Sequence, residues 1–341
     1  MKSPPEEVGV ARGRPAWVRW VANALGCALL AGAIFMALRH GAAAESDATL
    51  GAMWNRGVLR ERWWMVVGLL VLPLLNYVCS VLLVMVMTRP HVAPGRSLRL
   101  REMAALVGGA WLLNYLPLAP GLIGRAAYHA RVQGIPVTTT AKVLVQTVGV
   151  SVAALAMVAG IAAVFAVLGA GAEHVIVVVL FVAMLLATMP LRVVLGVGIS
   201  ASARWQYPSA ILVRVCDIGL WATRYALAFG LLGVILSPAE SLAFAVVSQV
   251  AVLIPFLGNG LGVREWAVGI GARVVPATAD AGRGLVSPIG LAADLINRAA
   301  EVLVAIPVGL ISLAWLARFA HSGGHDRADA GADSPRSDVN G

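Results

Sequence analysis

Long apolar runs constrain this chain more than any other feature: residues 20–38, 65–87, 143–168, 175–191 and 215–236, with a further apolar segment at 285–316. As helices rising about 1.5 Å per residue, such runs cross about 30 Å of hydrocarbon, where a helix satisfies its backbone hydrogen bonds internally. With 60% hydrophobic residues, 13% charged residues and a mean hydropathy of +0.84, the chain is too apolar for a water-soluble fold. It reads as an all-α polytopic membrane protein. The net charge of +9 does not point to nucleic acid, because the basic residues fall in short segments between apolar runs. There they set topology and meet anionic headgroups. Cys27, Cys79 and Cys216 lie in apolar runs without metal-ligand spacing, so no metal and no cofactor is expected.

A short motif occurs twice. The first copy is Pro120, Gly121, Leu122, Ile123, Gly124, Arg125; the second is Asn259, Gly260, Leu261, Gly262, Val263, Arg264. Each places an arginine beside glycines, shortly after a proline (Pro117, Pro255), at the end of an apolar run. A proline and a threonine follow each copy, Pro136 with Thr138 and Pro276 with Thr278, and a basic residue closes it, Lys142 or Arg283. The pattern reads as an internal duplication that brings broken backbone and an arginine to equivalent depths, the layout of repeat-built transporters. The expected breaks are Pro117, Pro120, Gly121 and Gly124 in the first copy, and Pro255, Gly258, Gly260 and Gly262 in the second.

The helices entering these breaks are short. Residues 104–116 make roughly 20 Å of helix and residues 241–254 roughly 21 Å, too little to span. Charge counting favours re-entrant hairpins at both places. With eight crossings the positive-inside rule fails, whereas with two hairpins the inner side holds 17 Lys and Arg against 7 outside. Three crossings between the hairpins would make them enter from opposite faces, as an inverted repeat requires. The expected fold therefore has six to eight transmembrane helices, two of them broken or re-entrant. Residues 1–19, with Lys2, Arg12, Arg14 and Arg19, read as a cytoplasmic tail, 20–318 as the transmembrane domain, and 319–341 as a disordered tail. The 20–38 run reads as an uncleaved first helix, and Trp63 and Trp64 belong at the membrane interface.

Polar side chains inside apolar runs are expensive and need partners. Asp294, Arg298 and Glu301 share one face of the last helix at i, i+4 and i+7, so each acid is placed to pair with the arginine, either as a self-neutralised cluster or as a cavity lining that exchanges partners with a lipid phosphate. Asp217 lies between Arg214 and Arg224, and the same two readings apply. Gln146 and Gln249 read as helix-to-helix hydrogen-bonding groups. Arg125 and Arg264 sit at glycine-rich breaks, where N–H groups and a guanidinium hold a phosphate together, or where the arginine simply anchors the interface. Glu265 is placed to orient Arg264 or carry a proton. There is no HExxH, GxSxG or Walker loop, and no enzyme activity is expected.

The run Asn114, Tyr115, Leu116, Pro117 through Gly121, Gly124 and Arg125, then Gly134, resembles the first signature of the lysylphosphatidylglycerol synthase transmembrane region family. The run Ile254, Pro255, Gly258, Gly260, Leu261, Gly262, Val263, Arg264, Glu265 resembles its second, and Arg298 matches an arginine of its last helices. The chain departs from that family at Leu122, where an acid is common, and at Gln146 and Thr147, where a Glu-Arg pair is common. The resemblance implies a multi-pass bacterial inner-membrane protein, flippase-like and without a synthase domain, that translocates or binds an anionic phospho- or glycolipid. Arg125, Arg264, Glu265, Arg298 and Asn114 are the expected headgroup residues. Membrane lipids, and lipid- or glycan-modifying membrane enzymes, are the expected partners. A non-transporting subunit scaffolding such an enzyme, or a lipid-phosphate phosphatase, are the alternative readings.

Overall fold

A computed structural model describes residues 58–92, 98–115, 120–168, 205–252, 258–278 and 285–332, with isolated helical positions between 24 and 35. The tail 1–19, most of the run 20–38, the expected span 175–191, and the break residues Pro117 and Pro255 lie outside the described residues. The described residues are helical, with no strand among them.

After a single helical turn at Val58–Glu61, the described residues form eight longer helices: α1 (Trp63–Thr88), α2 (Leu100–Leu113), α3 (Pro120–Tyr128), α4 (Val137–Leu168), α5 (Gln206–Leu231), α6 (Pro238–Val252), α7 (Val263–Val274) and α8 (Pro288–Ala332). Three of them are long and apolar enough to cross a membrane: α1, α4 up to Ala163, and α8 up to Arg318. Helix α5 has 26 residues but carries Arg214, Asp217 and Arg224. The described residues thus hold three apolar spans and this charged fourth long helix, while the spans expected at 20–38 and 175–191 fall wholly or mostly outside them. Helix α8 continues to Ala332, so helical backbone runs past residue 319, where composition predicts the tail to begin.

Prolines set several helix starts. Pro120, Pro238 and Pro288 each occupy the first helical position, where the absent N–H would have had no partner. At α6 a capping box completes the start. The Glu240 carboxylate accepts from the Ser237 N–H at 2.7 Å, and the Ser237 hydroxyl accepts from the Glu240 N–H at 3.3 Å. Glu240 also accepts from the Ala277 N–H at 3.0 Å, so the outer ends of the α6–α7 hairpin meet. In the α2–α3 hairpin, Tyr128 at the end of α3 packs in the cluster that holds Met103 at the start of α2. Helix α3 closes through a π-helical turn, His129–Gln133, capped by Gly134 at φ 69°. That left-handed conformation suits glycine.

Helices α1 and α5 run antiparallel and touch at three levels. Gln206 donates to the Met87 carbonyl at 3.3 Å, Asn76 to the Asp217 carboxylate at 2.7 Å, and Arg62 to the Gly230 carbonyl. Their contact anchors the largest apolar core, which includes Leu69, Tyr225, Phe229, Phe244, Val268 and Ala272. Helix α2 packs closely on α8, with Gly109 facing Leu313 and Gly309 facing Leu112. Small residues permit this approach in a solvent as apolar as the side chains. Outward, α1 presents Trp63, Val67, Val71, Leu74, Val78 and Leu82, and α8 presents Leu303, Ile306 and Leu310. Apolar stripes outside and charged groups inside invert the arrangement of a water-soluble protein.

Candidate functional site

Two helix breaks end at one carboxylate. At the end of α2, the Tyr115 hydroxyl donates to Glu301 Oε1 at 2.7 Å. At the break before α7, Asn259 Nδ2 donates to the same oxygen at 3.0 Å. The other oxygen, Oε2, accepts from Arg264 at 3.1 Å and from Arg224 at 3.3 Å. Glu301 is 3% exposed, so burying its charge depends on these donors.

The backbone of the second break explains how Asn259 gets there. Asn259 (φ 52°), Gly260 (φ 69°) and Gly262 (φ 81°) are all left-handed. An added Cβ at Gly260 would lie 3.3 Å from the backbone of Ala251 and Val252, so the break folds tightly over the end of α6. At the first break, Gly121 lies against the backbone of Ala110, and an added Cβ there would also meet Asn114 Oδ1 at 2.6 Å. Asn114 thus sits where α3 meets α2; among the described residues its Oδ1 has no hydrogen-bond partner, and it forms no bond with the charged cluster.

Around Glu301 the charges balance. Arg264 Nε donates to Asp294 at 3.1 Å, and the far oxygen of Asp294 accepts from the Tyr225 hydroxyl at 2.5 Å. Arg298 Nε donates to Glu265 at 2.7 Å, and its Nη2 to the Asn259 carbonyl at 3.1 Å. Arg224 adds bonds to Asn297 Oδ1 at 2.7 Å and Asn76 Oδ1 at 3.2 Å, and its guanidinium lies 3.9 Å from the centroid of the Trp221 ring. Arg224, Arg264 and Arg298 thus face Glu265, Asp294 and Glu301, three charges of each sign. From Asp217 the chain of bonds continues to Arg214, and from Arg214 to Gln249 on α6 at 2.7 Å. Gln249 joins two helices, as its place in an apolar run predicts.

The intrahelical pairing expected for Asp294, Arg298 and Glu301 is not made. Each turns to a partner on another helix, because α7 delivers Arg264 and Glu265 directly against that face. Arg224, which sequence spacing sets near Asp217, has Glu301 as its ion-pair partner instead. Asn76, Asn297 and Tyr225 also join the network, and a polar group in an apolar run is itself the signal that points to them.

Arg264, Glu265 and Arg298 are brought together; Arg125 is not among them. It lines a separate cleft with Val84, Thr88, His129, Ile135, Thr140, Val143 and Thr147. Among the described residues, the buried atoms Arg264 Nη2, Glu265 Oε2 and Asn297 Nδ2 have no hydrogen-bond partner, nor does Arg214 Nε further along the chain of bonds. Each represents unspent hydrogen-bonding capacity in a buried setting, where a donor or acceptor left unmatched is costly. Among the described residues, no group of His, Cys, Asp or Glu has the arrangement of a metal site. No family model, curated protein or solved structure matches this chain.

Proposed function

We propose that the chain is a flippase-like integral membrane protein of the bacterial inner membrane, which binds an anionic phospho- or glycolipid and moves it between leaflets through two inverted helix–break–helix repeats. The repeats are α1–α4 and α5–α8. Their contacts interchange: α1 packs antiparallel on α5, and α2 packs on α8 as α6 packs on α4. One observation carries the functional reading: both broken helices end on Glu301, which holds Arg264 together with Asp294 while Arg264 Nη2 remains unpaired. A headgroup phosphate offers oxygens in the same geometry as a carboxylate, so it takes a carboxylate's place on the guanidinium at little electrostatic cost. The carboxylate released then draws its tyrosine, asparagine or arginine partner with it, which links headgroup binding to the position of the hairpins.

Transbilayer movement of a labelled anionic lipid in proteoliposomes tests this reading. The wild-type protein accelerates movement, and Arg264→Lys, which keeps the charge but not the fork, loses most of the acceleration. No acceleration by the wild type would favour the scaffolding role. For topology, single cysteines at the exposed positions Thr138 and Ala277, in a background lacking Cys27, Cys79 and Cys216, should react with an impermeant thiol reagent from opposite faces. Labelling from one face would remove the inverted repeat.

A further inference from the structure

The cleft around Arg125 differs in kind from the Arg264 network. It lies between the end of α1 (Val84, Thr88), α3 (Arg125), the π-helical turn (His129) and the first half of α4 (Thr140, Val143, Thr147). Among the described residues, Arg125 forms no ion pair and no carboxylate lines the cleft. Of the other polar walls, three are bound within the protein and Thr88 is a neutral hydroxyl. His129 Nδ1 meets Gln133 Oε1 at 2.5 Å, the Thr147 hydroxyl donates to the Val143 carbonyl at 2.7 Å, and the Thr140 hydroxyl to the Pro136 carbonyl at 3.4 Å. The guanidinium is therefore the uncommitted charged donor among these walls, and among the described residues nothing balances its positive charge.

Size and surroundings narrow what it takes. The enclosed volume is about 10 Å³, room for roughly one water-sized group, within about 300 Å³ of space that includes the open mouth. A single charged oxygen enters, and the rest of the ligand stays outside. Arg89, Arg131 and Lys142 flank the cleft in sequence, and nothing along its walls receives an ammonium group. That favours a ligand with net negative charge over a zwitterion.

We infer that this cleft is an entry site for a singly charged phosphodiester, which places one anionic oxygen on Arg125 before any exchange at Arg264. The inference rests on the membrane-lipid reading above, but its test requires no transport. The full-length protein in detergent is titrated with dioctanoyl phosphatidylglycerol and with dioctanoyl phosphatidylcholine, and equilibrium binding is measured. The expected result is at least tenfold tighter binding of phosphatidylglycerol. Arg125→Gln brings the two lipids within about twofold of each other, and Arg125→Lys keeps an intermediate preference. Equal binding of both lipids by the wild type, or an undiminished preference in Arg125→Gln, overturns the inference.

Glycerophosphoglycerol, the same diester without acyl chains, identifies the source of the ligand. Competition at similar concentrations assigns the site to a soluble diester, and failure to compete assigns it to a bilayer lipid; either result retains the phosphodiester site. Arg125-dependent binding without transbilayer movement would remove the transport reading and leave this site standing. Movement without any Arg125-dependent preference would do the reverse.

Discussion

The two hairpins carry similar glycine-rich motifs into opposite surroundings: Arg264 is fully buried between two carboxylates, whereas Arg125 is partly exposed in a cleft that has none. The motif supplies a tight backbone and a cation in both cases. What the cation does is set by the helix that faces it. Helix α8 brings Asp294 and Glu301 to Arg264, while α4 brings threonines to Arg125. An arginine already neutralised must give up a partner before it binds an anion, and an unpaired one need not.

The largest expected effect tests that contrast directly. Glu301→Gln leaves Arg264 and Arg224 short of a buried anion and should destabilise the protein by about 3–5 kcal/mol in detergent unfolding. Arg125→Gln should change stability by no more than about 0.5 kcal/mol. Equal losses would show that Arg125 is structurally committed after all.

Arg264→Lys comes next. An ammonium does not reproduce the planar fork that joins Asp294 to Glu301, and losing one charge-assisted bond costs about 1.5–3 kcal/mol. Arg125→Lys should be neutral in the same unfolding measurement. The glycines sharpen the comparison further. Gly260→Ala puts a side chain at φ 69° and should cost about 1–2 kcal/mol. Gly124→Ala, inside α3 with nothing within 4 Å of the added Cβ, should stabilise by about 0.5–1 kcal/mol.

The smallest effect is at Glu240, in the first turn of α6. Burial pushes its carboxyl upward, but the N–H groups of Ser237 and Ala277 and the Ser237 hydroxyl outweigh burial and hold it below its ordinary value. A carboxyl depressed on folding contributes stability above its unfolded value and loses it as pH falls through the folded one. The stability advantage of wild type over Glu240→Gln should therefore be present at neutral pH and vanish in acid. A constant difference across that range would take Glu240 out of the hairpin's closure.

Much of the second hairpin was legible. The helix expected at 241–254 is found at Pro238–Val252, displaced because Ser237, Pro238 and Glu240 cap it three residues earlier. The first short helix, expected at 104–116, is likewise displaced to Leu100–Leu113. The convergence of Tyr115 and Asn259 on Glu301 was not legible, because it joins residues 186 and 42 positions apart. Spacing along one helix suggested that Arg298 would neutralise both of its neighbours; tertiary packing offered Glu265 instead. Arg224 was hidden for the same reason, since its nearest acid in sequence, Asp217, lies seven positions away and pairs with Arg214.

The equal count of three arginines and three carboxylates around Glu301 has an electrical consequence. A cluster of zero net charge feels no net force from the transmembrane potential when it shifts as a body, so its own displacement adds no voltage dependence to the rearrangement of the empty protein. On the function proposed above, one bound monoanion changes that. The loaded cluster then carries one elementary charge, worth about 2.3 kcal/mol per 100 mV of potential crossed. A negative interior would then favour outward displacement of the loaded cluster and neither help nor oppose the return of the empty one.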